Sequence, residues 1–202
     1  IGLGKVGSRF DEDPGRTVPW SHVGAYLALP DKFRLAGACD PDPENRAAFA
    51  RRCPDVPLFE SAEALLAAVS PDVLSICTPT QTHYEVFLRA LKVPGLKALW
   101  CEKPLAETLD RAQVMVDALG VNRLPVVVSY NRRWLPLWQR IRSLIDQGAI
   151  GTVRSIRVAF PNRLLSVGSH AVDLALYLGG EPSGQVIGMT LPSLYEEGEP
   201  AV

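Results

Sequence analysis

The chain has 202 residues and a mass of 22.0 kDa; 47% of it is hydrophobic, and 21 Lys and Arg stand against 22 Asp and Glu. That length supports one or two domains with buried cores, and the near-balanced charge predicts neither a nucleic-acid face nor an anionic-membrane patch. No apolar stretch approaches the length that spans a bilayer.

In chain order, Gly2-Leu3-Gly4-Lys5-Val6-Gly7 comes first. The chain opens on Ile1 rather than Met, inside what reads as the end of a strand, so it is read as lacking upstream residues, a removed targeting segment among the possibilities. Asp11–Trp20, with two prolines and a glycine, predicts a surface loop: either a neutral insertion, the favoured reading, or a lid near a bound pyrophosphate. Strands are predicted at Phe33–Cys39, Val73–Cys77, Ala98–Cys101 and Val126–Tyr130. Helices are predicted at His22–Leu29, Pro43–Arg52, Ala62–Val69, His83–Leu91 and Leu109–Leu119. Ser21 and Ser61 serve as N-caps, and Pro43 suits a first helical turn. Strands that are apolar throughout are covered on both faces, which makes an α/β fold with a doubly wound parallel sheet, the Rossmann arrangement, over residues 1–134.

After Tyr130 the pattern changes. A helix from about Pro136 to Gln147 ends at Gly148, Thr152–Phe160 reads as an alternating strand, and Ser169–Leu178 forms an amphipathic helix closed by Gly179-Gly180. A last strand is placed near Val186–Met189. Residues 135–202 are read as the beginning of a second α+β domain, incomplete because its two strands cannot by themselves form a substantial sheet. The four cysteines, Cys39, Cys53, Cys77 and Cys101, form no Cys-x-x-Cys pair. They are read as small buried hydrophobes in a reducing, cytoplasmic compartment, with no metal site.

Chemistry concentrates at the predicted carboxyl ends of the strands. Gly2, Gly4 and Gly7, with Leu3, Lys5 and Val6 between them, match a dinucleotide phosphate loop, whose helix-terminal N–H groups hold phosphate; the plain alternative is a glycine-rich turn. Asp40 follows the second strand, where a carboxylate accepts from a ribose diol and repels a 2′-phosphate, which favours NAD over NADP. Its rival reading is a cap or turn within Asp-Pro-Asp-Pro. Thr78 and Pro79 follow the third strand and could pack on a nicotinamide ribose, with His83 at the next helix start, where capping or packing is the plain role. Glu102-Lys103-Pro104 sets a lysine at the end of the fourth strand, aimed at the reacting end of a nicotinamide. His170 and Asp173 share a helix face; His170 is either a proton acceptor for a substrate hydroxyl or a histidine at a serine-capped helix start.

Taken in order, Gly2–Gly7, Asp40, Thr78-Pro79, Glu102-Lys103-Pro104, Tyr130-Asn131-Arg132-Arg133-Trp134 and Gly168-Ser169-His170-Ala171-Val172-Asp173 resemble the glucose–fructose oxidoreductase, inositol dehydrogenase and rhizopine catabolism (Gfo/Idh/MocA) family over nearly the whole chain. The resemblance implies a Rossmann domain followed by an α+β domain whose open sheet forms homo-oligomers, dimers or tetramers. It further implies that Lys103 hydrogen-bonds substrate and cofactor, that His170 is the acid/base, that Asn131 and Glu102 lie near the cofactor, and that Asp173 supports the substrate pocket. The expected activity is NAD-dependent hydride transfer with a sugar, polyol or related secondary alcohol. Two departures stand out: Ser166 occupies a position where many members carry aspartate, and the stretch from Phe160 to Gly168 is short. Ser166 keeps open a non-catalytic dinucleotide-binding, redox-sensing regulator. A third reading is an unrelated α/β enzyme with Glu102 as its acid.

Overall fold

The computed structural model describes residues 1–160 and 167–180, with the backbone alone at residue 122. It divides into two compact units, Ile1–Ser129 and Tyr130–Val202. The division therefore falls after Ser129 rather than Trp134. The 3-10 turn Asn131–Trp134 packs on the helices that follow it, which draws that motif into the second unit.

The first unit contains strands β1 (Ala38–Cys39), β2 (Leu58–Phe59), β3 (Val73–Ile76), β4 (Ala98–Cys101) and β5 (Val126–Val128). β1 pairs with β2, and β3, β4 and β5 pair in that order, all parallel. Ile1 and Gly2 join the two sheets. The Ile1 amino group donates to Ser75 O at 2.8 Å, Cys77 N donates to Ile1 O at 2.8 Å, and Gly2 N donates to Cys39 O at 2.9 Å. The spatial order is thus β2, β1, Ile1–Gly2, β3, β4, β5. The chain reverses direction of winding at Ile1–Gly2, the switch point where an open parallel sheet binds its ligands.

Helices α1 (His22–Leu27), α2 (Pro43–Arg52), α3 (Ala62–Ala68), α4 (Thr80–Ala90) and α5 (Leu109–Asn122) belong to this unit. Ser21, Asp42, Ser61 and Thr108 cap α1, α2, α3 and α5, each side chain accepting a backbone N–H of the first turn. One core gathers Leu74, Ile76, Phe87, Leu99 and Met115, a second Leu3, Val23, Ala38 and Phe49. Phe49 and Phe87 are fully buried.

Two strand expectations are corrected here. Of Phe33–Cys39 only Ala38–Cys39 enters a ladder; the residues before it line a 420 Å³ pocket together with Val69, Val73 and Ser75. Leu58–Phe59, too short to carry a period-2 signal, was not anticipated as a strand.

The Asp11–Trp20 segment is looped out of a helix whose hydrogen bonding continues across it. His22 N donates to Val6 O at 3.0 Å and Val23 N to Gly7 O at 2.9 Å, as though residues 10–21 were absent. Asp11 closes the excursion, accepting from Trp20 N at 2.6 Å, Ser21 N at 3.1 Å and the Ser21 hydroxyl. Burial opposes its ionisation, but these hydrogen bonds outweigh burial and hold its carboxyl below the ordinary range. Arg16 stacks over Trp20 and Phe10. A chain joining Arg9 directly to His22 is therefore expected to fold, with a stability within about 2 kcal/mol of the parent, the scale of the closure cost removed. Urea denaturation checks this, and a deletion that leaves the protein insoluble refutes the looped-out register.

The second unit, in its described residues, holds the Asn131–Trp134 turn and helices α6 (Pro136–Asp146) and α7 (Ser169–Gly179). Arg142 ties the helices: it donates to Tyr177 O at 2.7 Å while its guanidinium pairs with Asp146. The strand expected at Thr152–Phe160 forms no ladder among the described residues; its side chains are mostly exposed, so alternation alone did not supply a partner. The Val186–Met189 strand and Ser166 lie outside the described residues.

Candidate dinucleotide-binding site

Every predicted site residue of the first unit lies at the carboxyl edge of its sheet. Gly2 has φ +87, which admits glycine readily, and a Cβ there would meet Cys77 C at 2.7 Å. Gly7 touches the backbone of Gly2, so a Cβ would strike the Gly2 carbonyl. At Gly4 an added Cβ meets nothing within 4 Å, leaving the backbone open to a ligand. Tight turn, open approach and close helix packing are the three roles that a phosphate loop asks of its glycines. Leu3, Lys5 and Val6 complete that turn, Val6 through its carbonyl bond to α1.

Asp40 is 6% exposed. Its Oδ2 accepts Leu3 N at 2.6 Å and its Oδ1 accepts Asp42 N at 2.9 Å. The helix cap of Asp-Pro-Asp-Pro is Asp42, which accepts Glu44 N at 2.8 Å. A carboxylate offers about four acceptor positions, so Asp40 retains capacity for a diol while fixed against the glycine turn. The sequence reading missed Arg46, whose Nη1 donates to Asp40 O and Pro41 O, each at 2.8 Å. Its Nη2 meets Glu60 at 3.0 Å, so this cation is committed to two carbonyls and a carboxylate.

Thr78 Oγ1 is a buried hydroxyl with no hydrogen-bond partner among the described residues. An orphaned donor and acceptor beside the glycine turn, together with the open Gly4 backbone, fits a bound dinucleotide. Pro79 begins α4, and Thr82 returns both its N–H and its hydroxyl to the Pro79 carbonyl. His83 is 1% exposed: Nε2 lies 2.8 Å from Thr78 O and Nδ1 lies 3.0 Å from Pro104 O. It shapes the loops after β3 and β4 from beneath, which agrees with its packing role rather than with a surface offered to a ligand. The Lys103–Pro104 peptide is cis.

Glu102 is held by several donors. Its N–H reaches Ile76 O at 2.9 Å, and its carboxylate accepts His22 Nε2 at 3.0 Å and Lys103 N at 3.3 Å. Burial pushes its carboxyl up, yet hydrogen bonds from His22 and Ser129 prevail and set it below the usual range. A carboxylate so stabilised is a poor general acid, which removes the support for Glu102 in that role. Cys39, Cys53 and Cys101 are buried, and all four cysteines are free thiols. Burial pushes Cys77 and Cys101 up to about 12, far from thiolate chemistry.

Asn131, His170 and Asp173 belong to the second unit. The His170 ring stands edge-on to Tyr130, centroids 5.8 Å apart. Both Asp173 oxygens are taken by Arg133, at 2.9 and 2.8 Å from Nε, with Nη2 at 2.7 Å from Oδ1. Asp173 thus holds Arg133, a partner that the spacing of His170 and Asp173 did not disclose. His22 and Ser75 are also unpredicted; His22 becomes visible only when residues 10–21 are excised and the glycine turn is read straight into α1.

Comparison with known proteins gives the same picture. Residues 17–130 match the family model described as an oxidoreductase family with an NAD-binding Rossmann fold. D-glucoside 3-dehydrogenase of Escherichia coli is 29% identical over 188 residues, 84% of this chain and 53% of that protein. The galactose/lactose metabolism regulatory protein GAL80 of Saccharomyces cerevisiae is 29% identical over 145 residues, 69% of this chain and 33% of that protein. A solved structure of a putative myo-inositol dehydrogenase from Sinorhizobium meliloti superposes with a TM-score of 0.65 at 26% identity, over 79% of this chain and 53% of that one. The chain spans about half the length of the first of these relatives.

Proposed function

The chain belongs to the Gfo/Idh/MocA oxidoreductase family, and on that premise we propose that it serves an NAD-dependent dehydrogenase of sugars, polyols or related secondary alcohols. One observation carries the reading: a glycine turn, a fixed carboxylate, an orphaned threonine hydroxyl and the Glu102-Lys103-Pro104 loop share a single sheet edge. Gly2–Gly7 and Asp40 would hold the pyrophosphate and the adenosine ribose, while Thr78, Pro79 and Asn131 would adjoin the nicotinamide end. A bound nicotinamide supplies the acceptor or donor of hydride. Lys103 stabilises the alkoxide that develops on the substrate, and His170 takes or returns the hydroxyl proton, so that the alcohol loses one hydride and one proton to become a carbonyl. His83 and Asp173 act at one remove, through the Thr78 and Pro104 carbonyls and through Arg133.

Relatives named D-glucoside 3-dehydrogenase, levoglucosan dehydrogenase and D-apiose dehydrogenase support a carbohydrate substrate. Asp40 supports NAD over NADP, because a carboxylate fixed at the ribose repels a further phosphate. Fluorescence titration is expected to give NADH at least about tenfold tighter binding than NADPH, followed by turnover on a panel of glucosides, inositols and aldoses. Tighter NADPH binding overturns the role of Asp40, and no binding of either overturns the whole reading.

The likeness to GAL80 favours a second reading, a dinucleotide-binding regulator without turnover. NADH binding with no oxidation or reduction of any member of the panel decides for it.

A further inference from the structure

The carboxylate that precedes Lys103 is held from a helix distant in sequence. His22, in the first turn of α1, is 4% exposed, with its ring centroid 3.7 Å from that of Trp100. Its Nε2 lies 3.0 Å from Glu102 Oε1 and its Nδ1 lies 3.0 Å from Ser75 Oγ. Tyr26 OH is 2.7 Å from the same Ser75 hydroxyl. Trp100, which faces the His22 ring, donates from Nε1 to Ser129 Oγ at 3.2 Å.

One assignment of hydrogens satisfies every one of these groups. Tyr26 donates to Ser75, Ser75 donates to His22 Nδ1, and His22 Nε2–H donates to Glu102. Trp100 donates to Ser129. A chain of three donors therefore ends on the carboxylate, and a hydrogen-bonded network with its members satisfied is rigid. The main chain extends the connection. His22 N donates to Val6 O at 3.0 Å, inside the glycine turn, and Lys103 N donates to Glu102 Oε2 at 3.3 Å.

Resting on the role given to Lys103 above, we propose that His22 is a positioning residue that couples the glycine turn to the presentation of Lys103, acting through the Glu102 carboxylate. A lysine stem has several rotatable bonds, so the backbone from which it springs sets the reach of its amine. Glu102 controls that backbone, and His22 orients Glu102. Without His22 the carboxylate loses its buried donor from α1 and turns toward water, and the Lys103 N–H loses a fixed acceptor.

The test uses the full chain with His22→Phe, which keeps a flat ring against Trp100 and removes both nitrogens, and His22→Gln, which restores a donor near the Nε2 position. For His22→Phe, kcat is expected to fall at least about tenfold, the effect of losing a hydrogen bond to a charged group. The urea midpoint falls as well, because Ser75 and the Glu102 carboxylate lose a buried partner, but NADH affinity stays within about threefold, and His22→Gln recovers most of kcat. A purely structural histidine would lower stability, affinity and kcat together, which overturns the proposal.

A readout independent of turnover uses reductive ¹³C-methylation of the lysines, with the Lys103 resonance identified by its absence in Lys103→Arg. That resonance is expected to move in His22→Phe, to return in His22→Gln, and to move likewise in Glu102→Gln, which serves if His22→Phe does not fold. An unmoved resonance overturns the coupling whatever the activity. A moved resonance in a protein that turns over no member of the substrate panel keeps the coupling and discards the dehydrogenase reading.

Discussion

Lys103→Ala is expected to lower kcat by about a hundredfold or more, the scale of a lost polarising or proton-transferring group, while NADH affinity changes by no more than about threefold. The separation follows from where the residue sits. In the proposed binding mode the glycine turn and Asp40, which are fixed to each other, would hold the phosphates and the adenosine ribose, so binding energy at that end would not pass through Lys103. In the proposed role the charge of Lys103 would matter only where negative charge grows on the substrate oxygen. Steady-state kinetics on a substrate drawn from the panel, set beside an NADH titration of the same variant, measures both. Equal loss of turnover and affinity would make Lys103 a cofactor anchor. Lys103→Arg keeps the charge in a planar, differently shaped head, and is expected to recover only part of the rate.

Gly7→Ala and Gly4→Ala are expected to part company. The methyl added at Gly7 meets only backbone: the Gly2 carbonyl, Gly2 C at 2.9 Å and Leu3 Cα at 3.2 Å. No rotamer relieves such a clash, so the turn must open, at a cost of about 3 kcal/mol and with NADH binding lost. The methyl added at Gly4 meets nothing in the protein within 4 Å, so stability should move by less than about 0.5 kcal/mol, whereas NADH affinity should fall at least about tenfold if, as proposed, that space is where phosphate approaches. Urea denaturation and NADH titration of both variants separate a structural glycine from a ligand-facing one. A Gly4→Ala protein that binds NADH as tightly as the parent would remove the pyrophosphate from this turn.

Both predictions draw on residues that the sequence already singled out. Local patterns were enough to find them: apolar runs without alternation announced parallel strands, Ser21, Pro43 and Ser61 announced helix starts, and the glycine spacing announced a turn. These signals are carried by neighbours in the chain, and neighbours are all that propensity, capping and periodicity need. The Pro43–Arg52 helix emerges with the bounds expected of it, since a proline at its start and a cap before it leave little freedom.

Contacts between distant residues were not legible in this way. The Asp11–Trp20 excursion hid the continuity of α1 with the glycine turn, and with it His22, whose partners Ser75 and Glu102 lie 53 and 80 residues away. Arg133 and Asp173 meet across 40 residues. Thr152–Phe160 has the alternation of a strand but no ladder among the described residues, because a strand is defined by a partner that its own sequence does not contain. Taken by itself, the sequence determined the family, the parallel α/β class and the edge on which a dinucleotide would lie, since each is written in short runs of residue types. Only the tertiary structure decided that Asp40 is fixed to the glycine turn, that Asp42 is the helix cap, and that a buried histidine orients the carboxylate beside Lys103. Those are matters of which donor meets which acceptor in a dry interior, and folding alone brings them together.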